Sequence, residues 1–147
     1  MTDGGLTSFT PAYLRQLYDQ IAQERQVYPT LAAGATVISA AADWAYGAYA
    51  TVVPINTITH DFHILGVSIE SCDKNAVFQL ELYKGAGDEV ATAVRFAING
   101  GFFGNQVYVV GSKIVDANAQ VRARLASSDG LANQATMTFS IIYWEHT

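Results

Sequence analysis

The sequence predicts an all-β protein: an antiparallel β-sandwich of jelly-roll type with about eight strands, preceded by a short N-terminal arm and an amphipathic helix. From residue 35 onward, apolar and polar residues alternate with a period of two, and turn residues separate these runs. Before residue 35, apolar residues recur every three or four positions. The chain of 147 residues therefore divides into an arm and helix over 1–34 and a sandwich over 35–147.

The N-terminal region begins with a Gly- and Ser-containing arm over residues 1–9. Thr10 and Pro11 then match a helix N-cap followed by proline at the first helical position. The apolar stripe of the predicted helix consists of Leu14, Leu17, Tyr18 and Ile21. Because an isolated helix of about 15 residues is marginal in water, we expect it to dock on its own sandwich or on a neighbouring subunit.

Eight runs after residue 35 have strand character. They cover residues 36–40, 46–55, 62–70, 76–84, 90–98, 107–110, 119–126 and 135–144. The residues expected to point inward are Leu65, Val67, Ile69, Phe78, Leu80, Leu82, Val121, Ala123, Leu125, Met137, Phe139 and Ile141. The alternation breaks near Gly66, which indicates a bulge or bend. The turn over 85–88 predicts a hairpin between the fourth and fifth runs.

Composition excludes several classes of function. Charged residues make up 14% of the chain, against about 25% in an ordinary domain, which favours a surface that meets other protein. A net charge of -5 argues against nucleic acid as a partner. No apolar run is long enough to span a bilayer and no secretory signal is expected, so no membrane partner is predicted. Cys72 is the single cysteine, which rules out an intrachain disulfide.

Residues that could support chemistry are few. His60, Asp61 and His63 form one cluster, but residues three apart on a strand face opposite ways, so a polar turn is favoured over a metal site. The pair Asp88 and Glu89 lies in a predicted turn, where carboxylates are usually solvated. Neither Cys72 nor any glycine-rich stretch matches a catalytic or phosphate-binding pattern. We therefore predict no catalytic residue, no metal site and no cofactor, and hence no enzyme.

Three features instead suggest contact with a partner. Phe102 and Phe103 occupy a glycine-rich loop, where they either plug one end of the sandwich or insert into a partner. Arg122 and Arg124 share the outward face of one strand and pair either with a partner's carboxylates or locally with Glu81 or Asp116. The aromatic segment of Trp44, Tyr46 and Tyr49 favours packing in the core or at an interface, with a sugar-binding platform as the alternative.

The strand sequences also carry a family resemblance. The runs concerned are Thr57–Ser71, Phe78–Gly85 with its "ELYKG" ending, Glu89–Phe96 with "VRF", and Val121–Ser128 with "VRARLASS". Over roughly residues 35–145 the chain resembles small β-sandwich proteins of tailed-phage virions, which include capsid decoration (cement) proteins, head fibres and tail proteins. The shared motifs are structural and carry no chemistry.

The resemblance implies a jelly-roll domain that binds the major capsid protein at capsid symmetry axes as a dimer or trimer. It would be made in the host cytoplasm and lie on the outer capsid surface of the virion, with residues 1–34 as an assembly clasp. The expected contacts with partner subunits are Leu14, Leu17, Tyr18, Ile21, Phe102, Phe103, Arg122 and Arg124. The alternatives are a tail or head fibre adsorption protein that contacts host surface glycans, and a carbohydrate-binding module.

Overall fold

The computed structural model describes residues 25–30, 32–99 and 106–146. The strands of this part are Arg25–Tyr28 (β1), Ala35–Ile38 (β2), Ala50–Val53 (β3), Phe62–Cys72 (β4), Ala76–Lys84 (β5), Glu89–Ile98 (β6), Gln106–Val109 (β7), Val121–Ser127 (β8) and Thr136–Glu145 (β9). They form two antiparallel sheets. Sheet A has the order β1-β9-β4-β7, with β2 also paired to β9, and sheet B has the order β3-β8-β5-β6.

This strand order is that of a jelly roll. Without β1, the sheets read β2-β9-β4-β7 and β3-β8-β5-β6, the arrangement that results when a long antiparallel ribbon folds over on itself into two Greek keys. The predicted antiparallel sandwich is thereby confirmed. The β5–β6 hairpin predicted across residues 85–88 is also present.

The core lies between the two sheets and is built from alternate residues of each long strand. In β5, Phe78, Leu80 and Leu82 are buried, as expected from the period of two. The other inward sets are confirmed as well: Val121, Ala123 and Leu125 in β8, and Met137, Phe139 and Ile141 in β9. The outward residues of β5 and β8 consequently lie on the exposed face of sheet B.

The predicted inward position of Leu65 is wrong. Ile64 is fully buried and Leu65 is only partly buried, because the register between β4 and β9 shifts between Ile64 and Gly66. The bulge expected near Gly66 is therefore present. It places Ile64 inside and Leu65 on the outer side, the opposite of the predicted orientation. Val67 and Ile69, beyond the bulge, point inward as expected.

The two largest differences from the sequence-based boundaries lie at the start of the sheets and ahead of β3. The sheets begin ahead of residue 35, because Arg25–Tyr28 pairs with β9 as an additional strand. The run predicted over 46–55 is regular strand only at Ala50–Val53. Preceding this strand, the amide groups of Trp44 and Gly47 donate to the carbonyl oxygens of Ser127 and Leu125, so residues 44–47 follow the edge of β8 irregularly.

The predicted arm and helix, with Leu14, Leu17, Tyr18 and Ile21, lie outside the described residues, as do Phe102 and Phe103. Within the described part, no helix has the length and apolar character that a membrane crossing requires.

Candidate functional site

The outer face of sheet B brings arginines and aromatic rings together. Alternation along β5 and β8 turns Gln79, Glu81 and Tyr83 outward beside Arg122 and Arg124. Residues 44–49 run along the edge of β8 and add three aromatic side chains, and β6 adds one more arginine. We refer to this set as the arginine–aromatic face: Trp44, Tyr46, Tyr49, Gln79, Glu81, Tyr83, Asp88, Arg95, Arg122 and Arg124.

The backbone of residues 44–47 is shaped to reach this position. Trp44 has a φ of 56°, in the left-handed region that bulky residues rarely adopt. A Cβ atom at Gly47 would lie well inside van der Waals contact of the Ile38 carbonyl oxygen, so only glycine allows this approach to β2. The strained Trp44 and the close approach at Gly47 together hold the aromatic segment against β8.

Glu81 is the centre of a hydrogen-bond network on the face. The Tyr46 hydroxyl donates to Glu81 Oε2 at 3.0 Å, and the Tyr83 hydroxyl donates to Glu81 Oε1 at 2.6 Å. Arg124 in turn donates from Nε and Nη2 to the Tyr83 hydroxyl oxygen at 3.0 and 2.8 Å. Both carboxylate oxygens of Glu81 therefore accept hydrogen bonds, and the network connects β5 to β8 and to the segment over residues 44–49.

The network extends through Gln79 to the edge strand β6. Gln79 Nε2 donates to the Tyr46 hydroxyl oxygen at 2.7 Å. Gln79 Oε1 accepts from Arg95 Nε at 3.1 Å and from Arg95 Nη2 at 2.6 Å. The amide of Gln79 thus fixes the arginine of β6 relative to the tyrosine of the 44–49 segment.

Each arginine of the face also lies over an aromatic ring. The guanidinium carbon of Arg95 is 4.7 Å from the Trp44 ring centroid, and that of Arg122 is 4.2 Å from the Tyr49 centroid. Arg124 contacts the rings of Tyr46, Tyr49 and Tyr83 at 4.9, 4.6 and 4.9 Å. Such contacts are each worth about 0.5–1 kcal/mol at exposed sites, so several together order the face.

The tyrosines of the network stay protonated at neutral pH. Burial raises the pKa of Tyr46 and of Tyr83, and the hydrogen bonds to Glu81 raise both pKa values further. A neutral hydroxyl can donate to a carboxylate, whereas a phenolate cannot. At neutral pH the Tyr46 and Tyr83 hydroxyls therefore donate to the Glu81 carboxylate.

The face is more positive than the rest of the chain. Arg122 forms a two-pronged ion pair with Asp88, in which Nε to Oδ1 measures 2.9 Å and Nη2 contacts Oδ2. Among the described residues, no carboxylate lies within ion-pair distance of Arg95 or Arg124. With three arginines against Glu81 and Asp88, the face has an excess of one positive charge on a chain whose net charge is -5.

Part of the face is open to solvent. Trp44 is 44% exposed and Tyr49 is 39% exposed. Trp44, Tyr46, Gln79, Arg95 and Ala126 line a shallow hollow of about 180 Å³. An exposed indole beside amide and guanidinium donors can stack on a flat apolar surface while its neighbours form hydrogen bonds.

The structure places the predicted contact residues Arg122 and Arg124 on this face. They share it as expected, but Arg122 pairs with Asp88, where the sequence suggested Glu81 or Asp116 as local partners. Arg124 reaches Glu81 only through the Tyr83 hydroxyl. Both arginines are thus engaged within the chain, and their contact with a partner stays a prediction.

The predicted histidine cluster is split between two partners. His60 Nδ1 lies 2.9 Å from Glu145 Oε2, and His63 Nδ1 lies 2.5 Å from His146 Nε2. In the described part of the chain, no three His, Cys, Asp or Glu side chains are placed to share a metal ion. The two histidines are not brought to one site.

The other chemistry-bearing residues are also dispersed. Burial raises the pKa of the half-buried Cys72 thiol, which disfavours the thiolate needed by a nucleophile. The hydrogen bond from Arg122 lowers the pKa of Asp88, and that from Lys113 lowers the pKa of Glu89. Both carboxylates are engaged in ion pairs, Asp88 with Arg122 and Glu89 with Lys84 and Lys113.

Sequence reasoning missed the central residues of the network. The sequence gives no role to Gln79 and Tyr83 and offers Glu81 only as a local ion-pair partner of Arg122 and Arg124. It does not connect Arg95 or Asp88 with those arginines. The outward orientation of Gln79, Glu81 and Tyr83 follows from the alternation of inward and outward residues along β5. What brings them together is the register of β5 against β8 and β6, which joins residues 16 to 41 positions apart.

Comparisons with known proteins identify no family for this chain. No family model matches it, and no curated protein sequence matches it. Among solved structures, it is similar to an arabinose-bound GH51 α-L-arabinofuranosidase, with 8% sequence identity and a TM-score of 0.36. The alignment covers 91% of this chain and 24% of the enzyme, so the chain spans about a quarter of that protein. No argument about function follows from a similarity of this level.

Proposed function

We propose that the protein is a non-enzymatic structural protein of a phage virion, a capsid decoration protein that binds and stabilises the shell of the major capsid protein. It binds through the arginine–aromatic face. The virion role rests on the resemblance of the "ELYKG", "VRF" and "VRARLASS" strands to small virion sandwiches. Binding by surface contact rests on the geometry of sheet B.

The observation that carries the contact role is the exposed, ordered combination of Trp44, Tyr49 and Arg95. Tryptophan, tyrosine and arginine are the residue types most enriched among energetically dominant interface positions. Here the Gln79 hydrogen bonds and the ring contacts hold Arg95 and Trp44 in place before any partner arrives. Preorganised side chains lose less conformational entropy on binding, which favours attachment to a rigid surface such as a capsid.

Co-sedimentation with purified capsids tests this role. Trp44→Ala and Arg95→Ala should each weaken capsid binding about 30-fold, the loss expected for a dominant interface residue. The matched controls lie in loops outside the arginine–aromatic face: Ile55→Ala truncates an apolar residue that is 63% exposed, and Lys113→Ala removes a cation whose side chain is 64% exposed. Both controls should bind like the unaltered protein, and bound protein should raise the temperature at which capsids rupture.

If all four variants bound capsids equally, the arginine–aromatic face would not be part of the capsid-binding interface. Failure of the unaltered protein to bind capsids at all would overturn the virion role itself. Counting copies per virion by quantitative gel separates decoration from a tail location, since hundreds of copies indicate the shell and a handful indicate the tail.

A second candidate function is glycan binding, favoured by the hollow at Trp44. A sugar ring could stack on the exposed indole while Gln79 and Arg95 donate hydrogen bonds to its hydroxyl or carboxylate groups. Calorimetric titration with neutral and uronic-acid oligosaccharides tests it. Trp44→Ala should abolish any heat of binding, whereas Ile55→Ala, a truncation at a 63% exposed position, should preserve it.

A further inference from the structure

The outer face of sheet A carries an apolar row that crosses all four strands of the path β1-β9-β4-β7. Val27 of β1 pairs with Ile142 of β9, Ile142 pairs with Gly66 of β4, and Gly66 pairs with Val109 of β7. Directly cross-strand neighbours lie on the same side of a sheet, so these four positions share one face. Val27 is 39% exposed and Val109 is 86% exposed.

Gly66 makes a hollow in the middle of this row. It has no side chain, and the bulge beside it turns Leu65 toward the same surface. The hollow measures about 220 Å³ and is lined mainly by Leu65, Val107, Val109, Val110 and Ile142, with Arg25 at its edge. In an antiparallel sandwich the outer face of a sheet is ordinarily polar, so an apolar surface here indicates a contact site for another segment or molecule.

The next row along the same face is also unlike a solvated surface. Ser140 of β9 pairs with Ser68 of β4, and Ser68 pairs with Val107 of β7. Ser140 and Ser68 are 0% and 4% exposed, although both lie on the outer side of their strands. Val107, at the end of this row, is 56% exposed and also lines the hollow.

We propose that residues 11–24 of the same chain lie across this face as a third layer, with Leu14, Leu17, Tyr18 and Ile21 seated on the row and hollow. The inference is independent of the proposed function. The stripe of apolar residues predicted from the sequence requires a surface to cover, and the face requires a cover.

The position and length of the segment favour this occupant. Residue 24 is joined directly to Arg25, which lies at the edge of the hollow. Fourteen residues of helix would extend about 21 Å, and four strands span about 14 Å between the outer strand axes, so the predicted helix can cross the sheet completely. A tethered segment also acts at an effective concentration in the millimolar range, which favours it over a second copy.

Disulfide trapping tests the placement in the full-length chain. In a Cys72→Ser background, Leu17→Cys is combined with Val109→Cys on the proposed docking face. The matched control combines Leu17→Cys with Ala93→Cys, an exposed position on the outer face of sheet B. Under mild oxidation, the first pair should form a disulfide within the monomer and the control pair should not.

Two outcomes of the trapping would overturn the inference. Equal cross-linking in both pairs would place the segment on neither face, and a cross-linked dimer in the first pair would assign the face to a neighbouring copy. Either way, the stripe would remain available as the clasp expected from the family resemblance. A monomeric disulfide in the first pair alone supports docking on the chain's own sheet.

Limited proteolysis gives a second readout that does not depend on oxidation. If residues 11–24 are docked on the sheet, trypsin should cleave at Arg15 only when the segment is released. Val109→Asp should raise the rate of cleavage at Arg15 about tenfold or more, because the rate follows the released population. Val90→Asp, at a 43% exposed position in sheet B, should leave the rate unchanged. Identical cleavage rates in the two variants would contradict the docking.

Discussion

At the scale of single residues, the arginine–aromatic face depends on backbone positions that few residue types can occupy. Trp44 and Asp88 have φ values of 56° and 51°, in the left-handed region. Such conformations cost of order 1 kcal/mol for a non-glycine residue and persist where surrounding contacts hold them. Trp44 is held by its amide hydrogen bond to Ser127 and by Arg95, and Asp88 by Arg122.

A glycine substitution distinguishes close packing from loop flexibility. Gly47→Ala should destabilise the protein by about 3 kcal/mol, because the added methyl group would collide with the Ile38 backbone, which is fixed by pairing with β9. Gly87→Ala, in the hairpin turn with nothing within 4 Å of the added atom, should cost little. Urea unfolding of both variants measures the difference, and equal stabilities would mean that residues 44–47 shift without cost.

The Asp88–Arg122 pair predicts a component of acid sensitivity. The pKa of Asp88 is lower in the folded protein than the ordinary aspartate value, mainly through the hydrogen bond from Arg122. A lowered folded-state pKa contributes stability that is complete above about pH 4 and is lost as the pH falls through the folded-state value. Asp88→Asn should therefore reduce the slope of unfolding free energy against pH below about pH 4.

Asparagine is chosen at position 88 because it tolerates a positive φ, so the variant removes the charge without adding backbone strain. Urea midpoints measured from pH 2.5 to pH 7 give the slope. If Asp88→Asn and the unaltered protein lost stability in parallel over the acid range, the ion pair would have no part in it.

At the scale of elements, the long inner strands were predictable and the edges were not. The β5 bounds agree with the sequence-based ones because Phe78, Leu80 and Leu82 alternate strictly with polar residues. In contrast, β1 has only four residues, of which three are exposed. Its residues therefore do not alternate between inward and outward positions, and the sequence gives no strand pattern there. Its place in the sheet is set by pairing with β9, more than a hundred positions away.

Local backbone geometry accounts for the remaining errors. Residues 46–49 are rich in small and aromatic residues that also suit a strand, but the approach at Gly47 and the φ of Trp44 divert the chain along β8. At the bulge, both Ile64 and Leu65 are apolar, so the pattern alone could not decide which one is inside. The outward positions of Arg122 and Arg124 were predictable, whereas their partners depended on long-range register.

Strand β9 should be the most sensitive element, because it pairs with β1, β2 and β4. Phe139 is fully buried at its centre, so Phe139→Ala should lower the free energy of unfolding by about 3–5 kcal/mol. Thr138→Ala, one residue away on the outer side, should cost under about 1 kcal/mol. Denaturant unfolding monitored by tryptophan fluorescence checks both, and comparable losses would indicate that β9 does not anchor the core.

At the scale of the whole molecule, the two outer faces of the sandwich have different chemistry although they enclose the same core. Sheet B presents ordered arginines and rings, which suit a partner with flat apolar and acidic or polyhydroxyl groups. Sheet A presents an apolar row that suits a covering helix. A jelly roll can carry both, because each sheet uses alternate residues of its strands for the core and leaves the others free to vary.

Tyrosines on both sheets set an alkaline limit for the folded state. Burial raises the pKa of Tyr46 and Tyr83 on sheet B and of Tyr108 and Tyr143 on sheet A. In the unfolded chain these groups ionise near pH 10, before they do in the folded protein. Stability should therefore be complete below about pH 10 and decline as the pH rises toward the folded-state values.

Absorbance of the phenolate measures this directly. In native protein, Tyr46, Tyr83, Tyr108 and Tyr143 should ionise later than in urea-denatured protein, and the unfolding free energy should begin to fall near pH 10. Tyr83→Phe removes the hydroxyl with the largest rise in pKa and should flatten the decline, even though it lowers stability at pH 7 by breaking the bonds to Glu81 and Arg124. A native titration that coincides with the denatured one would show that these hydroxyls are solvated, and the hydrogen-bond network on sheet B would then be wrong.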